Sequence, residues 1–139
     1  MNKVVGFDNR AYVWNLSGNL VNAGDIRPKS SYHLQCRALL KEMFPTSPVC
    51  EEVFLPGSGN LRLDFYLPHQ RMAIEVHGEQ HYKLKSMFHS NKAAFLSAKK
   101  RDVDKIKWCE NNNIRLVALK YSDSIDEWKR QIYVCQGKS

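Results

Sequence analysis

Long hydrophobic runs are missing from this sequence of 139 residues. No apolar stretch approaches the 18 or more residues of a membrane-spanning helix, and the N-terminus lacks the apolar stretch of a signal peptide. We therefore expect a protein that neither spans a membrane nor is secreted, with a cytoplasmic location. The remaining composition, 43% hydrophobic and 25% charged residues, is typical of a globular protein and argues against wholesale disorder.

Cysteines at metal-ligand spacing are also absent. The chain has four cysteines, and they form neither a CxxC motif nor a mixed Cys/His ligand pattern. Each lies in a run that is typical of a helix or a strand, so we expect reduced core residues and not zinc ligands or disulfides. The four are Cys36, Cys50, Cys109 and Cys135.

Acidic residues are few relative to basic ones. Asp and Glu number 14 against 21 Lys and Arg, which gives a net charge of +7. A polyanionic partner is favoured, and a basic but merely soluble surface is the competing interpretation. The distribution favours the first, because residues 83–107 contain eight Lys and Arg but only two Asp. We expect a face that binds nucleic-acid phosphates here. Its members are Lys83, Lys85, Lys92, Lys99, Lys100 and Arg101.

The order of segments predicts one mixed α/β domain, because the chain is too short for two typical domains. Apolar residues at helical spacing predict helices, and short alternating runs between turn residues predict strands. The predicted order is helix 30–45, strands 49–55, 61–67 and 72–77, helix 88–112, strand 114–120 and helix 125–135. This order indicates a central mixed sheet that is flanked by helices, with the strand at 114–120 buried.

Residues 1–27 are predicted to be an N-terminal β-hairpin extension, and residues 28–139 the main domain. The hairpin strands are expected in AYVWNL and LVN, on either side of Ser17-Gly18-Asn19. Its side chains Arg10, Tyr12 and Trp14 are more consistent with packing on the main domain than with nucleic-acid contact.

The first predicted helix has two stripes. An apolar stripe is expected to pack in the core; it comprises Tyr32, Cys36, Leu39, Leu40 and Met43. The second stripe contains His33, Arg37 and Lys41, four residues apart. We interpret this stripe as a solvated face, with contact to a nucleic-acid backbone as the alternative.

The segment 61–82, LRLDFYLPHQRMAIEVHGEQHY, concentrates the residues with chemical potential. Two short apolar strands each carry an acid, Asp64 and Glu75. Strand alternation puts the apolar residues of the first strand on one face and Asp64 on the other. These apolar residues are Leu61, Leu63, Phe65 and Leu67. If the two strands pair in register, Asp64, Glu75 and His77 converge on one face.

Carboxylates buried among apolar residues need a compensating cation or donors. Oxygen ligands from Asp64 and Glu75 suit Mg²⁺, or Mn²⁺ in its place. Such an ion neutralises phosphoryl oxygens and acidifies a bound water, which is what phosphodiester hydrolysis requires. His77 and His81 are the available bases near neutral pH.

Three stretches together resemble the PD-(D/E)XK nuclease superfamily: LDFYLP, AIEVHGEQHY and KKRDVDKIKWCENNNIRLVAL. The branch that fits best contains the very-short-patch repair endonucleases, the EDxHD homing endonucleases and small phage-type restriction-like proteins. The resemblance covers about residues 30–128, and IEVHGEQHY is its most specific part. It implies a restriction-endonuclease-like fold and a Mg²⁺-dependent endonuclease acting on DNA, with RNA as a further option.

The resemblance assigns roles by position. Asp64 matches the strand acid that holds the metal, and Glu75 matches the second acidic position. His81, six residues after Glu75, is where the repair-type enzymes have a catalytic histidine. Asp102 and Lys105 match the RDxxK element of these small proteins.

The chain departs from the superfamily pattern at two positions. The Lys two residues after the second acid is His77 here, where close relatives have Asp, and we expect Lys105 or Lys83 to supply the missing charge. The acid of the first helix is absent, and Glu52 is the candidate substitute. The other residues expected to support the site are Glu79, Gln80 and Asp102.

Asp102 has a structural interpretation as well. It lies on the same helical stripe as Phe95, Ala98, Ile106 and Cys109, so an inward, functional orientation is one option. It is equally consistent with the cap of a new helix that begins at Val103, or with an ion pair to Arg101 or Lys105.

Two other functions remain open. RAP-type RNA-binding domains have a stretch, E-x-D-G-x-x-H, that is similar to residues 75–81 of this chain. His77 stands where that stretch has Asp, which suggests a non-catalytic RNA-binding module with a degenerate site. The chain is also consistent with a structural subunit of a larger nuclease. As to assembly, we expect a monomer or a homodimer.

Overall fold

The computed structural model describes residues 3–20, 30–78 and 92–137. Nine helices and strands lie in these ranges, and after the N-terminal pair of strands their order is the one that the sequence predicts. They are β1 (Lys3–Val5), β2 (Ala11–Val13), α1 (Ser31–Met43), β3 (Cys50–Phe54), β4 (Arg62–Leu67), β5 (Met72–His77), α2 (Lys92–Asn111), β6 (Arg115–Lys120) and α3 (Ile125–Cys135). The predicted mixed α/β class is confirmed. No helix among the described residues is long and apolar enough to cross a membrane.

The main sheet has the strand order β3-β4-β5-β6. Short turns join β3 to β4 and β4 to β5, so both of these pairs are antiparallel. β6 pairs with β5 in parallel from Met72–Arg115 to His77–Lys120. In the β4–β5 pair Phe65 lies opposite Ile74, so that the next position along the ladder brings Asp64 beside Glu75.

Strand alternation breaks at Asp64. Leu61 and Leu63 pack in one core cluster, whereas Phe65 and Leu67 pack in the other. The prediction that these four side chains share a face is therefore wrong. The physical reason lies on the neighbouring strand, where Glu52 has a left-handed backbone with φ of 51°. The β3–β4 pairing is regular on both sides of Glu52 but does not include it. At this point the side chains of both strands exchange the sheet face towards which they point.

The two clusters lie on opposite faces of the sheet. The first contains the side chains of the N-terminal hairpin and the C-terminal end of α2: Val4, Trp14, Leu16, Trp108 and Cys109. The second lies under α1 and α3 and contains Cys36, Leu39, Leu40, Trp128 and Ile132. The apolar stripe predicted for α1 is confirmed, with Tyr32 and Met43 partly buried at its ends. All four cysteines are free thiols, as predicted, and burial raises the pKa of Cys109 to about 12.

The N-terminal hairpin forms earlier in the chain than predicted. β1 pairs with β2, and residues 17–19 form a 3-10 turn where the turn between strands was expected. The reason is a contact distant in sequence: the Asn112 side chain accepts a hydrogen bond from Val5 N–H (2.7 Å) and donates one to Val5 O (3.0 Å). Trp14 is buried and donates to Phe54 O (2.8 Å). The domain boundary at residues 27 and 28 stays a prediction, because 21–29 lie outside the described residues.

One alternative interpretation and one prediction for the C-terminal half are wrong. Asp102 does not cap a new helix, because α2 runs without interruption from Lys92 to Asn111. β6 is not a buried strand, because it lies at the edge of the sheet, where Leu119 is its one fully buried side chain.

His33 and Arg37 of α1 do not form a solvated face. Both side chains bind Glu51, which lies on the sheet face that α1 covers and is 5% exposed. His33 Nε2 contacts Glu51 Oε1, and Arg37 Nε donates to Glu51 Oε2 at 2.6 Å. The His33 ring also stacks on Phe65. Because a buried carboxylate needs donors, the two polar residues of α1 turn inward, and Lys41 alone of this stripe stays exposed.

We expect Glu51→Gln to lower the free energy of unfolding at neutral pH by about 1–3 kcal/mol, because Arg37 loses its buried counter-charge. Burial alone would raise the pKa of Glu51, but the hydrogen bonds from Arg37 and His33 outweigh it and hold this pKa below its usual value of 4.5. The stabilisation is therefore present above pH 4.5 and is lost as the pH falls through the pKa of the folded state.

Urea denaturation between about pH 3 and pH 7 measures this effect. The wild type should lose stability on acidification more steeply than Glu51→Gln. Glu42→Gln is the control, because Glu42 is an exposed acid of α1 and its contact with Lys129 is 3.4 Å long. Parallel pH profiles for the wild type and Glu51→Gln would contradict the assignment.

Candidate active site

Two carboxylates lie side by side where β4 pairs with β5. Glu75 Oε2 accepts a hydrogen bond from the Asp64 N–H (3.1 Å), and Asp64 Oδ2 accepts one from the Val76 N–H (2.8 Å). Each acid is thus held by the backbone of the other strand. Glu75 is 4% exposed, whereas Asp64 is half-buried and faces a cleft. The predicted convergence of Asp64 and Glu75 is confirmed.

Lys105 reaches this pair from α2. Its Nζ donates to Glu75 Oε1 at 2.6 Å, and both side chains are largely buried. Lys105 lies about one helical turn before Cys109, on the same side of the helix. Trp108 and Cys109 are fully buried, and Trp108 Nε1 donates to Pro56 O (3.0 Å). The core therefore fixes the part of α2 that positions the ammonium group.

Lys105 compensates the negative charge of the carboxylate pair only in part. Burial, followed by the neighbouring Asp64 carboxylate, raises the pKa of Glu75, and Lys105 opposes this rise without cancelling it. A bound cation would lower the repulsion between the two acids. The electrostatics of the site therefore favour a further positive charge beside Asp64.

The donor set fits a Mg²⁺ or Mn²⁺ ion through two carboxylates. Within residues 3–20, 30–78 and 92–137, no group of three His, Cys, Asp or Glu is arranged to hold a metal. Mg²⁺ does not require such a group, because it keeps several waters and takes one or two carboxylates together with substrate phosphates. Asp64 and Glu75 supply that number.

Asp64 lines two adjacent cavities. The site cleft, about 230 Å³ in volume, is lined by both carboxylates and by residues of β5 and α2. These other lining residues are Val76, His77, Gly78, Ala98, Arg101, Asp102 and Lys105. The side groove, about 360 Å³, lies between β4 and α2. It shares Asp64, Arg101 and Lys105 with the site cleft, so the two cavities lie next to each other.

The structure brings together most of the predicted catalytic residues that it describes. His77 and Asp102 line the site cleft with the Asp64–Glu75–Lys105 group, so Asp102 has the inward position. Glu52, predicted to support the site, lines the side groove. Five predicted residues lie outside the described ranges, and their roles stay predictions: Glu79, Gln80, His81, Lys83 and Lys85.

The basic residues of α2 that were predicted to form one phosphate-binding face lie on different sides of the helix. Arg101 lines both cavities, whereas Lys92, Lys99 and Lys100 are exposed and line neither the site cleft nor the side groove. Lys100 is bonded to Asp104 at 2.7 Å. The sequence interpretation did not single out Arg62, which lines the side groove. Strand alternation gave no reliable signal for this position, because it breaks at Asp64, two residues later.

Comparison with known proteins leaves the family open. No family model and no solved structure matches the chain. It is 39% identical over 66 residues to "Uncharacterized protein 307L" of Invertebrate iridescent virus 6, which covers 48% of this chain and 34% of that protein. It is 31% identical over 98 residues to "Uncharacterized protein 033L" of Invertebrate iridescent virus 3, which covers 68% of this chain and 50% of that protein. The chain therefore spans at most half the length of these curated relatives.

We expect Lys105 and Glu75 to be coupled in stability. Lys105→Met should destabilise the wild type by more than it destabilises a Glu75→Gln background, with a coupling energy of about 1–3 kcal/mol. The reason is that Lys105→Met deprives a buried acid of its cation only where position 75 is Glu. Urea denaturation of the two single variants and the double variant measures this coupling. Lys107→Met, an exposed lysine of the same helix, is the control. Additive effects of Lys105→Met and Glu75→Gln would rule out the ion pair.

Proposed function

We propose that this protein is a metal-dependent endonuclease that hydrolyses phosphodiester bonds in DNA and belongs to the PD-(D/E)XK superfamily. One observation carries the proposal: Asp64 and Glu75 lie on paired strands, and Lys105 binds Glu75 at the base of an open cleft. This combination of two acids and a cation is the arrangement that phosphodiester hydrolysis uses.

Asp64 and Glu75 are the residues that would hold the metal ion. Mg²⁺ or Mn²⁺, when bound, supplies charge neutralisation for phosphoryl oxygens and a more acidic water. The backbone N–H groups of Asp64 and Val76 keep the two carboxylates in fixed orientations. Because the acids are oriented before substrate arrives, little reorganisation is needed when an ion and a phosphate enter the cleft.

Lys105 takes the role of the superfamily lysine that position 77 lacks. Its ammonium lies 2.6 Å from Glu75 Oε1 and faces the site cleft. In this position it stabilises negative charge that develops on the phosphoryl oxygens. The positive charge of the ammonium comes from α2 instead of β5. The electrostatic stabilisation depends on the distance between this charge and the acids, and not on the element that carries it.

A histidine serves as the base that takes a proton from the attacking water. His77 lines the site cleft beside Asp102, and a neutral imidazole accepts a proton near pH 7. His81 is the other candidate base, and only the resemblance to the repair-type enzymes supports this role. The proposal includes a cytoplasmic location and a monomeric or homodimeric protein.

A non-catalytic module that binds nucleic acid is the second candidate. The observation in its favour is that no three-residue metal group lies in the described part of the chain. The same cleft would then bind a phosphate through Arg101 and Lys105 without cleaving it.

Asp64→Asn should reduce Mg²⁺-dependent nicking of supercoiled plasmid by at least about 100-fold, because a carboxylate that holds the ion is lost. The asparagine oxygen can still accept the Val76 N–H, so the fold should persist. Circular dichroism checks the fold, and gel assays with and without Mg²⁺ measure the cleavage. Asp126→Asn, an acid in the first turn of α3, should cleave like the wild type. Unchanged cleavage by Asp64→Asn would refute the proposal.

Metal binding separates the two candidate functions without an activity assay. Isothermal titration with Mn²⁺ should give a binding heat for the wild type that disappears in Asp64→Asn and in Glu75→Gln, because the endonuclease needs both carboxylates. Asp126→Asn should keep the heat. No ion uptake by the wild type would favour the non-catalytic module.

A further inference from the structure

We propose that the side groove binds a DNA phosphate next to the one in the site cleft, through the guanidinium groups of Arg62 and Arg101. The groove and the site cleft are both lined by Asp64, Arg101 and Lys105, so a strand that enters the site cleft passes beside the groove. The choice of DNA as the ligand and the cleavage of the neighbouring phosphodiester rest on the proposed function. The binding itself rests on the residues of the groove.

Arg62 and Arg101 are the arginines beside the site that the fold does not use. Four other arginines donate side-chain hydrogen bonds within the protein: Arg37, Arg71, Arg115 and Arg130. In the described ranges, the side chains of Arg62 and Arg101 are exposed and form no salt bridge. Their donors are therefore available to a ligand.

The two guanidinium groups come from separate elements of the groove. Arg62 lies on β4 and Arg101 on α2. A guanidinium presents a planar set of donors that matches two phosphate oxygens, and its charge is permanent. Asn60 adds a neutral amide to the same groove. Donors from a strand and a helix that line the same groove, with no salt bridge in the protein, are suited to a phosphate group.

The exposed lysines of α2 are less suited to this task. Lys100 is bonded to Asp104, with 76% of its side chain exposed. Lys107 follows Lys105 by two residues, which is a rotation of about 200° around the helix, so it faces away from both cavities. The phosphate-binding surface is therefore expected in the groove and not along the outer side of α2.

Glu52 also lines the side groove. Its substitution should change DNA binding in the direction opposite to a substitution of either arginine, which provides a second test. Its carboxylate repels an anion in the same cavity. Removal of this charge should strengthen phosphate binding, whereas removal of either arginine should weaken it. A protein that binds DNA elsewhere has no reason to show both effects.

The experiment measures the binding of a fluorescein-labelled 20-base-pair DNA duplex by fluorescence anisotropy. EDTA is present throughout, so no metal-dependent cleavage occurs. Arg62→Gln and Arg101→Gln should each raise Kd about 5–20-fold and reduce the slope of log K against log salt by about 1. Glu52→Gln should lower Kd by about twofold or more. Lys107→Gln removes the same charge from the outer side of α2 and should change Kd by less than about twofold.

Equal Kd values for Arg62→Gln, Arg101→Gln and Lys107→Gln would overturn the groove proposal, whatever the plasmid assay shows. Thermal unfolding of the exposed arginine variants confirms that they remain folded. Failure of the proposed function looks different: the protein would bind DNA through Arg62 and Arg101 but cut no substrate with Mg²⁺ or Mn²⁺.

Discussion

The reciprocal bonding of Asp64 and Glu75 is the interaction on which the site depends. Two carboxylates repel each other, and burial of Glu75 adds a desolvation cost. The fold offsets both terms with fixed donors: each acid accepts a backbone N–H from the opposite strand, and Lys105 binds the more buried acid. These contacts require the β4–β5 register and the docking of α2 at once, so the site forms only when both elements are in place.

The change of face at Glu52 and Asp64 connects this site to the two cores. Because β4 turns over at Asp64, Leu63 packs with the N-terminal hairpin and Phe65 packs under α1. In a regular strand Leu63 and Phe65, two residues apart, would pack in the same core. The left-handed backbone of Glu52 is uncommon for a residue other than glycine, and such conformations are concentrated at functional sites. Its position beside the side groove agrees with this tendency.

Local sequence patterns were sufficient for the order of elements, the core stripe of α1 and the pairing of the two acids. The pairing could be predicted because a short turn joins β4 to β5 and leaves little freedom in register. The errors have tertiary causes. The face change depends on the backbone of one residue in a neighbouring strand, and the inward turn of His33 and Arg37 depends on the needs of Glu51. The hairpin depends on Asn112, which is 107 residues away from Val5.

Lys105 illustrates why a catalytic motif is better judged in space than along the chain. A search for lysine two residues after Glu75 finds His77 and would discard the sequence as degenerate. The ammonium nevertheless lies on Glu75, because buried Trp108 and Cys109 fix the adjoining turn of α2. A charge held by a docked helix has as little freedom as one held by a strand. The proposed reaction requires a cation beside the acid pair. The position of that cation in the sequence does not affect this requirement.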